Sequence, residues 1–309
     1  MQLNKSIKIV LFTIFVAINF SFDRGWILPG ADFDQFNNTP LEELAHAVEF
    51  QRCKEIRRIV ASDKSIDLNY QLKNYGNTIL KIAIINKKKR SVKTLLELGA
   101  DPNFVNFLGR TCLSSLLRKE LFLFGERKYA RLLLKHNAQV DFKIQQESNF
   151  KTSEDLQRLA VSNETVIYYK RTSAFLDACA GRNLKNVQFL VDNGADINQI
   201  GANDMETGFW YAIKVGNIKV AKYLLITKKC QIKKALIEKN EKGVIEVFSR
   251  LRSMLFPLHS RRHKIKMEVV AYLKKEFNLD YFKYPIPTRE LIEIQLKYPK
   301  KYVKYCKEY

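Results

Sequence analysis

Gly76-Asn77-Thr78-Ile79-Leu80-Lys81-Ile82-Ala83 decides how this chain is read, because it returns 33 residues later as Gly109-Arg110-Thr111-Cys112-Leu113-Ser114-Ser115-Leu116. A fixed period of that length marks an array of small supersecondary units, each too small to bury its own apolar face. Gly76 and Gly109 suit a turn that needs a positive φ. Thr78 and Thr111 stand where a helix begins, and a hydroxyl there can satisfy free backbone amides. Leu80 and Ala83 belong to an apolar stripe at helical spacing, with alanine small enough to let neighbouring helices approach.

The second half of the unit recurs as well. Lys93-Thr94-Leu95-Leu96-Glu97-Leu98-Gly99-Ala100-Asp101-Pro102-Asn103 matches Gln188-Phe189-Leu190-Val191-Asp192-Asn193-Gly194-Ala195-Asp196-Ile197-Asn198. A weaker copy is Ala130-Arg131-Leu132-Leu133-Leu134-Lys135-His136-Asn137-Ala138-Gln139-Val140-Asp141. Each is a helix stopped by glycine or asparagine, as a left-handed helix ending requires. Asp67, Asp101 and Asp196 recur with the tail and read as turn residues rather than acids of a reaction.

These phrases resemble the ankyrin repeat, whose pattern runs roughly G-x-T-P-L-H-x-A, then a second helix, then G-A-D-x-N. Gly76, Thr78, Leu80 and Ala83 fit, whereas Ile79 and Lys81 replace the family's proline and histidine. Gly216-Asn217-Ile218-Lys219-Val220-Ala221 fits the inter-helix turn and second helix, and the resemblance covers roughly 41–232. It implies an all-α solenoid of stacked antiparallel helix pairs with β-turn tips.

The expected organisation is a leader or anchor at 1–22, a linker at 23–40, the repeat array at 41–255 and a basic helical C-terminal cap at 256–309. Five repeats are recognisable, and a sixth within 232–255 is expected to keep a helix pair without the signature. An insertion at 142–171 interrupts the array; it is either a binding-face excursion or a decayed repeat. In the cap, 264–277 reads as an amphipathic helix with Ile265, Val269, Val270, Leu273 and Phe277 on one face. Tyr284-Pro285-Ile286-Pro287 is a break, after which Thr288 is expected to cap another helix.

Lys5 and Lys8 precede the apolar run Ile9–Phe20, which is short for a membrane span and suits a secretory signal. A cleaved signal, an uncleaved anchor over 9–22 and a buried first helix are the three readings. The expectation is export, to a bacterial periplasm or as a secreted protein. The formal net charge is +21, and 228–309 alone hold 21 basic and 9 acidic residues. Such an excess suits an acidic partner or an anionic membrane surface. Nucleic acid fits less well, because no recognised nucleic-acid module surrounds Arg261-Arg262-His263-Lys264. Five cysteines without a C-x-x-C read as small buried apolar groups where they face the stack, as at Cys112 and Cys179.

No nucleophile elbow, phosphate loop, dinucleotide fingerprint or metal-ligand spacing appears, and the four histidines have no partner at such spacing. The resemblance therefore implies a non-catalytic, monomeric protein–protein interaction module without cofactor or metal. Such proteins bind through turn tips and the inner face of the first helices. Those positions here are Asn74, Tyr75, Val105, Phe107, Leu108, Arg110, Arg118, Lys119, Asn203 and Lys214, with Tyr75, Phe107 and Leu108 expected to stand exposed. The sharper reading is an exported antidote or accessory to a toxin or envelope enzyme. The alternative is a host-directed effector or a basic surface-binding protein.

Overall fold

The computed structural model describes residues 32–73, 75–107, 109–117, 126–142, 173–181, 183–201, 205–241 and 243–309. The leader and anchor readings of 1–22, nearly all of the insertion, and the tip residues Asn74, Leu108, Arg118, Lys119 and Asn203 lie outside them. Two compact bodies divide the chain, 1–98 and 99–309.

In the first body a 3-10 turn at Phe33–Phe36 leads into helices α1 (Glu42–Glu49), α2 (Cys53–Ser62), α3 (Ile79–Ile85) and α4 (Lys89–Glu97). Thr78 caps α3, its side chain accepting from the Lys81 amide as expected. Helix α1 packs on α3 and α2 on α4, so first helices meet first helices and second meet second. Leu44, Val48, Ile56, Leu80, Ala83 and Leu95 are fully buried between them. A polar stitch backs this apolar seam: the buried Ser91 hydroxyl donates to the Val48 carbonyl at 2.6 Å.

The second body holds α5 (Cys112–Leu117), α6 (Glu126–Lys135), α7 (Ala174–Ala180), α8 (Leu184–Asp192), α9 (Gly208–Lys214) and α10 (Ile218–Lys222), which runs on through a π-helical stretch at Tyr223–Thr227. Then come the single turn α11 (Lys234–Ile237), α12 (Glu246–Ser253), α13 (Arg261–Phe277), α14 (Thr288–Lys297) and α15 (Tyr302–Glu308). Thr111, Ser173 and Thr207 cap α5, α7 and α9, each accepting from the amide three residues on at 3.2 Å. Helices α5, α7, α9 and α12 pack in succession, as do α8, α10 and α13. The closest approach comes at Gly208, where a Cβ would stand 2.7 Å from the Phe175 ring and 3.0 Å from the Cys179 sulfur. Among the described residues there is no strand, only isolated bridges pairing Ile200 with Thr207 and Lys239 with Ile245 at two turn tips.

The helix endings behave as their residues require. Gly99, Asn137 and Gly194 have φ of 97°, 66° and 90°. The fifth repeat, which lost its glycine, still turns left-handed at Lys229 with φ 52°, a conformation that costs an L-residue about 1–2 kcal/mol. The recurring aspartates are turn residues: Asp67, Asp101 and Asp196 accept from the amides of Asn69, Asn103 and Asn198 at 2.8–2.9 Å. The tail then ties repeat to repeat. Asn103 Oδ1 accepts from the Gln139 amide at 2.7 Å, Asp141 Oδ2 from the Asp196 amide at 2.8 Å, and Asn198 Oδ1 from the Gln231 amide at 2.8 Å.

Four expectations need correction. The sixth helix pair is α12 with α13, not a pair inside 232–255. Its tip is Gly243, with φ 69°, and Ile245 stands where the other repeats have a capping hydroxyl, so the phrase was unreadable by its threonine. Repeats three and four are direct neighbours, α5 on α7, with Asn186 Nδ2 donating to the Leu117 carbonyl at 3.3 Å. That contact removes the reading of 142–171 as one more repeat between them. Helix α13 begins at Arg261 under a Ser260 cap and buries His263, Lys266, Val269, Val270 and Leu273, while Ile265 and Phe277 are only half-buried. Thr288 lies inside α14, whose cap position is Pro287 and carries no side-chain cap bond.

Candidate interaction surface

The tip of the third repeat, in the second body, is folded down rather than bare. Asn106 holds it shut: its backbone amide donates to the Arg110 carbonyl at 3.1 Å, and its Oδ1 accepts from the Arg110 amide at 3.0 Å. Phe107 is 8% exposed, and Arg110 is buried too. The expectation that Phe107 stands exposed is therefore corrected. A closed turn covers an apolar ring, and withdrawing such a ring from water is worth about 1.5–3 kcal/mol. Val105 in the same tip and Tyr75 in the first body are half-buried.

Of the ten expected contact residues, Lys214 at the end of α9 is the one among the described residues that is well exposed. The adjoining Val215 is 38% exposed. The Lys214 ammonium lies 4.2 Å from the centre of the Trp210 indole, close enough for a cation–π contact. Trp210 itself is almost buried and stands one turn back on the same helix, in the place where Thr78-Ile79-Leu80-Lys81 puts its lysine. Tyr211 donates its hydroxyl to Glu206 Oε2 at 3.1 Å, which fixes the carboxylate at the tip beside α9. Partial desolvation lowers the Lys214 pKa, the Glu206 and Glu246 carboxylates act to raise it, and Arg250 acts to lower it. Glu246 and Arg250 belong to α12, the next first helix, and pair with each other at 2.7 Å.

The result is a mixed-charge patch spread over two successive first helices, with an aromatic body beneath it. The sequence pointed to Lys214 but not to Trp210 or the Glu246–Arg250 pair. The available signal was Phe209-Trp210-Tyr211 directly after the capping Thr207, three aromatics where other repeats have aliphatic or small residues.

Chemistry of other kinds finds little support here. Among the described residues no group of three His, Cys, Asp or Glu side chains is placed to hold a metal ion. No described helix is long and apolar enough to cross a membrane. Cys112, Cys179 and Cys230 are buried, and burial pushes the Cys179 thiol well above its usual range and Cys230 up to about 12. Thiols so disposed are poor nucleophiles at neutral pH.

Comparison with known proteins agrees with the geometry. The ankyrin repeat family pattern matches residues 75–107. A protein of Rickettsia felis, whose name describes it as an ankyrin repeat protein, is 33% identical over 87 residues. That match takes in 27% of this chain, and it spans 38% of the relative's length. The chain is an ankyrin-repeat protein, built on a module whose general work is protein–protein interaction.

Proposed function

We propose that this chain is a non-catalytic interaction protein that holds a protein partner on the first-helix face of its later repeats. The observation that carries this is the patch of Lys214, Val215, Glu206 and Arg250 over the buried Trp210. Buried aromatic bodies ringed by charged groups are what interface hot spots are made of. The reading is tested by capturing partners from the native envelope with the intact chain and with the Lys214→Glu, Val215→Asp variant. The variant is expected to bind at least tenfold more weakly, a loss of about 1.4 kcal/mol or more. Its melting temperature is expected to stay unchanged, because both side chains point to solvent. Undiminished capture would place the partner elsewhere.

The same proposal puts the mature protein outside the cytoplasm, as antidote or accessory to an exported toxin or envelope enzyme. Its support is the order of Lys5 and Lys8 before Ile9–Phe20. An alkaline phosphatase fusion is expected to be active in the periplasm; an inactive fusion that is nevertheless folded and intact would refute export.

A further inference from the structure

Helices α14 and α15 have an inner and an outer face, and only the inner one is accounted for by the fold. Inward, Ile294, Tyr305 and Tyr309 form a buried cluster against Leu255, Leu258 and Tyr298. Outward, Ile292, Leu296 and Val303 are 56%, 77% and 64% exposed. Ile292 and Leu296 are four residues apart on α14 and share a face. Lys300, Lys301, Lys304 and Lys307 follow them, all exposed, and Gln295, Val303 and four of these lysines line one open groove. Residues 288–309 hold six basic and three acidic side chains. Glu293 pairs with Arg289 and Lys297, and Glu308 with Lys304. Lys300, Lys301 and Lys307 have no ion pair among the described residues.

We propose that this outer face docks on an anionic lipid surface, with Leu296, Ile292 and Val303 entering the interface and the lysines meeting the headgroup phosphates. The pattern is apolar residues interleaved with lysine, and it separates the candidate partners. Lysine is depleted in the cores of protein interfaces, where arginine and aromatic residues are enriched. A nucleic acid backbone would use the lysines but gain nothing from Leu296 and Val303. A bilayer with anionic headgroups uses both, since apolar side chains insert at the acyl boundary while long lysine stems keep their charge at headgroup level. This surface lies apart from the Lys214 patch, so its test and the partner test succeed or fail separately.

The test is flotation of the full chain with vesicles of phosphatidylcholine alone and of phosphatidylcholine containing one-third phosphatidylglycerol. The chain is expected to float with the anionic vesicles and stay behind with the neutral ones. Two variants divide the contributions: Leu296→Ser with Val303→Ser, and Lys300→Gln with Lys301→Gln. Each is expected to weaken vesicle binding roughly tenfold or more. Both should melt like the parent chain, since all four side chains are exposed. Failure to float with anionic vesicles would overturn the proposal. So would full retention of binding by the serine variant, or equal retention of parent and serine variant on polyglutamate or DNA. Any of these would leave only a generic polyanion surface.

Discussion

Leu190→Ala is expected to destabilise the second body by about 2–5 kcal/mol, read as a shift in a chemical denaturation midpoint. Leu190 is fully buried on α8, with no polar atom to relax around. Its place in the array makes it worse than an average core leucine. Helix α8 packs on both α7 and α10, so the cavity opens where two successive repeats meet. In a stack stabilised by nearest-neighbour interfaces, weakening a middle interface removes support from both sides. Leu95→Ala tests the equivalent position of the first body, where Leu95 on α4 is also fully buried. A change below about 0.5 kcal/mol, the usual bound for surface substitutions, would show that the repeating stripe is not core.

The second large effect concerns two buried cations that act in opposite directions. Arg252 on α12 donates to the Tyr309 carbonyl at 2.8 Å, the Tyr281 carbonyl at 3.1 Å and the Tyr284 carbonyl at 2.9 Å, and its guanidinium lies 3.9 Å from the centre of the Tyr281 ring. It ties together the turn after α13 and the end of α15. Lys266 on α13 is fully buried in the same place, with its ammonium 3.0 Å from the centre of the Tyr309 ring and no hydrogen-bond partner among the described residues. Burial first, and the Arg252 charge second, hold the Lys266 pKa well below the usual 10.5. Removing Arg252 by Arg252→Ala is expected to cost about 3–5 kcal/mol, as for other buried charged networks. Lys266→Met keeps the stem, removes the unpaired nitrogen and is expected to stabilise by about 1–3 kcal/mol.

The pH dependence follows from the sign of that shift. Because the folded pKa of Lys266 lies below the unfolded one, the folded state binds fewer protons between the two values. Stability therefore rises with pH across that window, and the cost of Lys266 is present in full below its folded pKa. Tyr281 and Tyr309, whose pKa values burial pushes upward, act the other way once unfolded tyrosines begin to ionise near pH 10. Lys266→Met is expected to flatten the rise below pH 10 and leave the fall above it. An unchanged slope in a melting series from neutral pH to pH 10 would show that Lys266 is not buried uncharged.

What the sequence determined by itself is everything that acts over a few residues. The glycine-to-threonine phrase, the leucine stripe, the Gly99, Asn137 and Gly194 endings and the aspartate turns are local requirements of φ, capping and helical period, and they are found where they were read. The sixth repeat escaped because Ile245 has no hydroxyl to announce a helix start, although Gly243 keeps the turn. Tertiary structure decided the rest. Whether Phe107 faces water depends on how Asn106 closes its turn. Whether residues 142–171 separate two repeats depends on α5 finding α7 some sixty residues away. Whether Lys266 is a surface charge or a buried amine depends on Tyr281 and Tyr309 reaching back over α13. Burial is set by what comes together from distant parts of the chain, and a local pattern records only what each segment needs for itself.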